Sequence, residues 1–368
     1  MVRLRNFLIA VSVAAFLVCG SLLTPGLADG GANHREQNDN FGVSGGNIND
    51  SSRRFCCSGT LGALVTINGA KYILSNNHVL NRSDQGSAGD DISQPGLIDN
   101  NCQVPRIVGD LSAAPPLGSN VDAAVALLRE GTMDSTGFIE DIGVPSSTTA
   151  NATVGMEVAK SGRTTGFTTG TVGSINTSVN VQYQRGCGGG KKFVVSYINQ
   201  VVINSSSFSA GGDSGSLIVT RNSPHNPVAL LYAGSSSTTI GNPINEVLAK
   251  VGAALGGAAT FGASAPIHGR GLKLGHQGME PFIPGVGQLR ELPQQASDRA
   301  TAVLERHRAN LMFQPGVIGA GVGAGSDDNL EAAIVVYVDK TSNARPQLLE
   351  SLDGIRVKVV LTDPFVAF

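Results

Sequence analysis

Residues Ser209–Val219 read Ser-Ala-Gly-Gly-Asp-Ser-Gly-Ser-Leu-Ile-Val. Ser214 lies between Asp213 and Gly215, Gly212 precedes them, and an apolar run, Leu217–Val219, follows at once. Glycines let the backbone turn sharply and aim its amide groups outward, which residues carrying a Cβ resist. A serine presented on such a loop can act as a nucleophile. The N–H groups of Gly212 and Ser214 are then the natural donors to a developing oxyanion. The plainer reading is a glycine-rich turn between strands, common in a chain with 48 glycines. The loop gains chemical meaning only if the remaining sequence supplies a base and an acid to orient it.

Upstream, Thr60–Ile67 and Lys71–Leu74 have β-type composition and are separated by Asn68-Gly69, a strong hairpin signal. The second run leads into Ser75-Asn76-Asn77-His78, which puts a histidine at a strand end. Residues 81–120, with Pro95, Pro105, Pro115 and Pro116, read as rich in loops. They end at the apolar strand Val121–Leu128, which carries Asp122 near its start. A carboxylate entering such a strand is costly to desolvate unless something pairs with it, and a histidine is an obvious partner. Asp84, Asp90, Asp91, Asp99 and Asp110 sit in polar surroundings and read as solvated. Histidine, aspartate and serine at 78, 122 and 214 follow one of the chain orders known for a Ser-His-Asp triad. The nucleophile elbow of α/β-hydrolases needs Gly at 216, where this chain has Ser, and a histidine after the serine.

Short strands are expected at 154–160, 168–175, 178–183, 193–198, 200–203 and 228–233, with a helix over 242–254 from the spacing of Ile244, Val247, Leu248 and Val251. Many short strands with regular turns suggest antiparallel barrels or a sandwich. Residues 256–292 read as a Gly/Pro-rich linker. Beyond it, a helix over 296–312, strands over 317–322 and 332–338, a short helix over 346–352 and a strand over 355–361 predict a small α+β module, 293–368. Its Gly321-Val322-Gly323 lacks the βαβ setting that a dinucleotide loop requires.

The chain of 368 residues is 41% hydrophobic, so a core is easily buried. Charged residues make up 15%, with 26 basic against 28 acidic, which gives no footprint for a nucleic-acid partner. Residues 1–28 read as a secretory signal: Arg3 and Arg5 precede the apolar run Phe7–Val18, and Gly26-Leu27-Ala28 offers a cleavage site. The expected location is secreted or cell-envelope. Left uncleaved, Phe7–Leu23 is the one expected membrane contact, at the short limit for spanning. Residues 29–54 are polar and rich in Asn, Asp and Gly, the composition of a flexible lead-in. Beyond the signal, Cys56, Cys57, Cys102 and Cys187 form an even set that reads as disulfides, with zinc the alternative. Adjacent Cys56 and Cys57 cannot easily bridge each other. A bond from one of them to Cys102 would close a loop worth roughly 4 kcal/mol by chain entropy.

Five motifs in order then give a resemblance: GTLGALV at 59–65, LSNNHVL at 74–80, VDAAVALL at 121–128, SGRTTGFTTGTV at 161–172 and GGDSGSLIV at 211–219. Over about 200 residues, within 55–255, the chain resembles the chymotrypsin-like (trypsin-fold) serine proteases, and among them the bacterial trypsin-like proteins similar to the plant narrow-leaf protein. The resemblance implies a mainly β fold of two antiparallel six-stranded β-barrels with a cleft between them, and the small α+β module read from the residue pattern follows outside its span. It implies that His78 is the general base, Asp122 orients it, Ser214 attacks a peptide carbonyl, and Gly212 and Ser214 donate to the oxyanion. Asp213 matches an aspartate that is usually ion-paired in active members, and Arg163 is its expected partner, with Lys160 as the second candidate. Phe208 falls at the pocket floor and Gly234 beside it, which implies a small or apolar residue before the scissile bond. A departure is GDSGS where GDSGG is commoner. An exported serine endopeptidase acting on polypeptides, with no cofactor or metal, is the function implied. The alternative is a silent protease-fold protein whose C-terminal module holds partners.

Overall fold

The computed structural model describes residues 34–36, 38–262, 291–325 and 331–368. The expected signal segment, 1–28, and most of the expected linker lie outside the described residues. Strand β1 (Val43–Asn47) is followed by β2 (Gly59–Leu61), which bends at Gly62 into β3 (Ala63–Ile67). A turn at Asn68 and Gly69, with φ of 51° and 80°, leads into β4 (Ala70–Ser75). Asn-Gly supplies the two positive φ values that a tight hairpin needs. The one-turn helix α1 (Asn77–Leu80) then precedes β5 (Asp91–Gln94), β6 (Arg106–Ala113) and β7 (Ala124–Leu128). The antiparallel order β3-β4-β7-β6-β5-β1-β2 closes on itself, because β2 and β3 are one bent strand. The result is a six-stranded barrel filled by Leu61, Val65, Ile73, Leu74, Val108 and Val125.

A second barrel follows from β8 (Glu157–Gly162), β9 (Gly166–Gln184), β10 (Lys192–Asn204), β11 (Leu217–Thr220), β12 (Pro227–Gly234) and β13 (Thr238–Pro243). The antiparallel ring β8-β9-β10-β13-β12-β11 closes through β11 on β8, again with six strands. Val158, Val172, Ile203, Phe208, Ile218 and Leu231 fill it. Helix α2 (Ile244–Ala254) returns to the first barrel, burying Ile244, Val247 and Val251 in that core, and β14 (Ala259–Thr260) pairs with β3. Two disulfides, Cys56–Cys102 and Cys57–Cys187, divide the adjacent cysteines as expected. The second ties the first-barrel loop to the turn between β9 and β10.

Helix α3 (Gln294–Met312) and strands β15 (Val317–Ala324), β16 (Ala332–Asp339), β17 (Ser351–Leu352), β18 (Ile355–Thr362) and β19 (Phe365–Ala367) complete the described chain. Their own core is Ala300, Leu304, Val322, Ile334 and Val336. The strands do not form a separate sheet: β15 pairs with β9, so they extend the second barrel's sheet outward, and β19 pairs with both β9 and β12.

Several sequence expectations are corrected. The region read as a flexible lead-in contains β1, whose five residues are all buried. Its polar side chains are satisfied: Ser44 donates to Asp99, and Asn47 to the Leu80 carbonyl and Asp90. Gly45 lies so close to Leu61 that a Cβ would sit 2.3 Å from it. Few apolar residues were needed because glycine and hydrogen bonds do the packing. The stretch read as loop-rich, 81–120, holds β5 and β6. The breaks expected at 176–177 and 199 are bulges inside single long strands, where Asn176 and Asn199 take φ of 51° and 61°. No helix forms over 346–352, where seven residues starting at a proline are too few to offset nucleation.

Candidate active site

His78 sits on α1, directly after β4, and Asp122 lies two residues before β7. Because β4 and β7 are paired neighbours, with Ser75 opposite Ala124, the two side chains emerge together at one barrel end. His78 Nδ1 donates to Asp122 Oδ2 at 2.6 Å, and the His78 backbone N–H donates to Asp122 Oδ1 at 3.1 Å. Asp122 is fully buried. Taking a carboxylate out of water costs several kcal/mol unless its oxygens are satisfied. Here the second barrel helps: the Tyr183 hydroxyl donates to Asp122 Oδ2 at 2.8 Å and is itself joined to the Tyr197 hydroxyl at 2.7 Å. Burial, then the charge of Asp122, push the Tyr183 hydroxyl well above its usual range, so it stays a donor. The Asp122 backbone is pinned as well, its N–H by Asn242 and its carbonyl by Asn76. Asn242 in turn donates to Gln200 at 2.6 Å. Tyr183, Asn76, Asn242 and Gln200 were not singled out from the sequence. Three of the four stand at least 61 residues from Asp122, a separation that no local pattern encodes.

Ser214 is fully buried on the loop entering β11. Gly212 and Gly215 on either side take φ of 98° and 96°, left-handed values that a Cβ disfavours. A Cβ on Gly212 would also meet Thr164 Oγ1 at 2.5 Å. Ser214 Oγ donates to the Tyr232 carbonyl at 3.2 Å. Among the described hydrogen bonds neither the Gly212 N–H nor the Ser214 N–H has an acceptor, so both remain available.

The partner expected for Asp213 is corrected. Arg163 turns away from it and forms a two-point pair with Asp99, Nε to Oδ2 at 2.5 Å and Nη2 to Oδ1 at 2.7 Å. Lys160, the second candidate, points its ammonium at Asp213 from 3.6 Å, and both groups are fully buried. Lys160 lies on β8, which is paired with β11, so its stem already runs inside the barrel, whereas Arg163 stands in the turn after β8. Burial pushes the Lys160 ammonium down to about 8, with Asp213 opposing the shift. Asp213 also accepts from the N–H groups of Thr164, Thr165 and Ala210 and from the Thr165 hydroxyl. That ring of donors fixes the Gly212–Ser214 backbone.

Phe208 is fully buried in the second-barrel core, with its ring against Gly170. Gly234, at the end of β12, lies against Phe368: a Cβ there would lie 2.5 Å from the Phe368 ring. Next to His78 is a cleft of about 280 Å³ lined by Asp50, Arg82, Tyr183, Gly212 and both adjacent cysteines. Burial raises the Asp50 carboxyl to about 6, with Arg82 and His78 opposing. For His78, burial disfavours the charged ring, but the Asp122 charge and hydrogen bond outweigh it, aided by the Phe368 oxygen and Asp50, so its pKa is raised.

The pattern of peptidase family S64 matches residues 71–234. Serine protease 1 of Streptomyces fradiae is 29% identical over 195 residues, which are 51% of this chain and 46% of that protein. The chain thus spans about half the length of this curated relative. A solved glutamic acid-specific serine protease is 23% identical, with 60% of this chain and 98% of that chain covered and a TM-score of 0.41. Thermobifida fusca protease A is 19% identical, with 61% and 99% covered and a TM-score of 0.41. In its motifs and its two six-stranded barrels, the chain is similar to chymotrypsin-like serine proteases, and the family match runs from β4 to the end of β12.

Proposed function

We propose that the protein is a serine endopeptidase that cleaves polypeptides through an acyl-enzyme formed on Ser214. What supports this reading is the hydrogen-bonded His78–Asp122 pair together with a glycine-flanked Ser214, which the Phe368 backbone links: its oxygen lies on His78 Nε2 and its N–H shares the Tyr232 carbonyl with Ser214 Oγ. In the reaction His78 Nε2 accepts the Ser214 proton as Ser214 Oγ adds to the carbonyl carbon. The tetrahedral oxyanion is met by the Gly212 and Ser214 N–H groups, each worth on the order of 3 kcal/mol in the transition state. His78 then returns the proton to the leaving amine, and water repeats the sequence on the acyl-enzyme. Asp122 keeps the proton on Nδ1 so that Nε2 is the basic nitrogen. Two disulfides and the N-terminal sequence support export, with polypeptides outside the cytoplasm as substrates.

Labelling with a fluorophosphonate probe, followed by mapping of the modified residue, tests the reading. Wild-type protein is expected to label at Ser214 between pH 6 and 9, and Ser214→Ala to stay unlabelled. Absence of wild-type labelling across that range would overturn the reading.

A further inference from the structure

Strand β12 pairs with β11 only as far as Leu230, after which β11 gives way to the Ser214 loop. The main chain of Tyr232–Gly234 is therefore left with an open edge beside Ser214. An open edge carries unpaired N–H and C=O groups and takes up an extended peptide as an added strand. In this molecule the edge is filled by the chain itself. β19 runs antiparallel along it, with Ala367 opposite Ala233 and Val366 opposite Gly234.

The register places the end of this strand at the reacting groups. The Phe368 N–H donates to the Tyr232 carbonyl at 3.3 Å, the same oxygen that accepts Ser214 Oγ at 3.2 Å. The main-chain oxygen of Phe368 lies 2.9 Å from His78 Nε2. His78 then has an acceptor at each ring nitrogen, Asp122 at Nδ1 and Phe368 at Nε2, so in this arrangement both carry protons and Nε2 cannot act as a base. The Phe368 ring packs beside Gly234 and against the cluster that contains Phe208, Ile218 and Leu231. Phe365 anchors the segment, buried against Tyr337 while β19 pairs with β9 on its other side. Residues 366–368 are half-buried.

We propose that Phe365–Phe368 is an intramolecular occupant of the Tyr232–Gly234 edge, with the Phe368 ring at Gly234, and that it must leave before an extended apolar peptide can dock there. The proposal deepens the endopeptidase reading, on which it rests for what befalls a docked peptide, but docking itself needs no turnover. A tethered segment competes at an effective concentration on the order of millimolar. Free peptide therefore binds weakly until the segment is released.

The test uses full-length Ser214→Ala protein, so that no peptide is consumed, and a fluorescent acetyl-Phe-Val-Ala-Phe peptide read by polarisation. Val366→Pro in that background removes the N–H facing Gly234, and Phe368→Asp, which leaves the strand backbone intact, puts a charge in the apolar pocket. Each variant is checked for an unchanged circular dichroism spectrum. At least tenfold tighter peptide binding is expected in Phe368→Asp than in the parent, and in Val366→Pro if it folds. Unlabelled peptide should displace the probe, and the same peptide ending in Asp should not. Equal or weaker binding in a folded Phe368→Asp protein would overturn the proposal. Normal fluorophosphonate labelling of wild type alongside that result would leave the Ser214 reading standing, whereas tighter binding with no labelling of either wild type or Phe368→Asp protein that retains Ser214 would sink the peptidase and keep the occupied edge.

Discussion

His78 and Asp122 reach the groove from the first barrel and are held there by side chains of the second, Tyr183 on the carboxylate and Asn242 on its backbone. Ser214 reaches the same groove from the second barrel, and its hydroxyl touches only the Tyr232 carbonyl among the described hydrogen bonds. What is braced on that side is the neighbouring Asp213, by Lys160 and four hydrogen bonds. The contrast follows from charge. A buried carboxylate is expensive unless paired, so side chains of the second barrel serve both aspartates, whereas a hydroxyl needs only a backbone turn. The two aspartates should therefore fail differently: a change at Asp122, which faces His78, should appear as lost chemistry, and one at Lys160, which faces Asp213, as lost stability.

The largest effect that would sharpen this contrast comes from Asp122→Asn. The amide cannot hold the Nδ1 proton as the carboxylate does, and turnover of a peptide substrate is expected to fall roughly ten-thousandfold with the fold intact, by analogy with other triads. A loss below tenfold would remove the assigned role of Asp122. Next comes Lys160→Met, which leaves Asp213 buried without its counter-charge. Stability in urea should fall by about 3–5 kcal/mol. An unchanged midpoint would show that the backbone donors alone hold Asp213, and would break the contrast.

The smallest effect is on pH dependence. The pKa of His78 is raised, so the neutral, basic ring is populated only as pH climbs through a value above its ordinary 6.5 or so. Activity should rise across that window. The sign for stability is opposite: the pair with Asp122 contributes fully below the unfolded pKa and weakens as pH rises through the folded one. Because the Phe368 main-chain oxygen is one cause of the shift, release of the segment in Phe368→Asp should move the acid limb of the pH–rate profile to lower pH. An acid limb at the same pH in both proteins would remove that contact from the titration.

Much of the site was legible because its residues lie at element boundaries. The Asn68-Gly69 turn, the polar run ahead of His78, and Gly212 and Gly215 around Ser214 are local features, and local features survive in one dimension. The mainly β character was legible from the same turns, which left barrels and a sandwich open, and the two six-stranded barrels were implied only by the resemblance. Long-range packing was not. The β1 strand is poor in apolar residues because Gly45 and Gly46 and hydrogen-bonded Ser44 and Asn47 fill its place. The choice between Arg163 and Lys160 depends on which stem runs inside the barrel, a property of register rather than residue type. The joining of β15 and β19 to β9 and β12 could not be read at all, since strand partners more than a hundred residues apart leave no mark in the pattern of either strand.

The central claim is that side chains delivered by two barrels act as one unit. It is tested most directly by peptide hydrolysis in wild type, His78→Ala, Ser214→Ala and the double variant. Each single change is expected to lower turnover roughly a millionfold, and the double variant to lose no more than either alone. Losses that multiply in the double variant, or a His78→Ala protein that retains wild-type turnover, would contradict it.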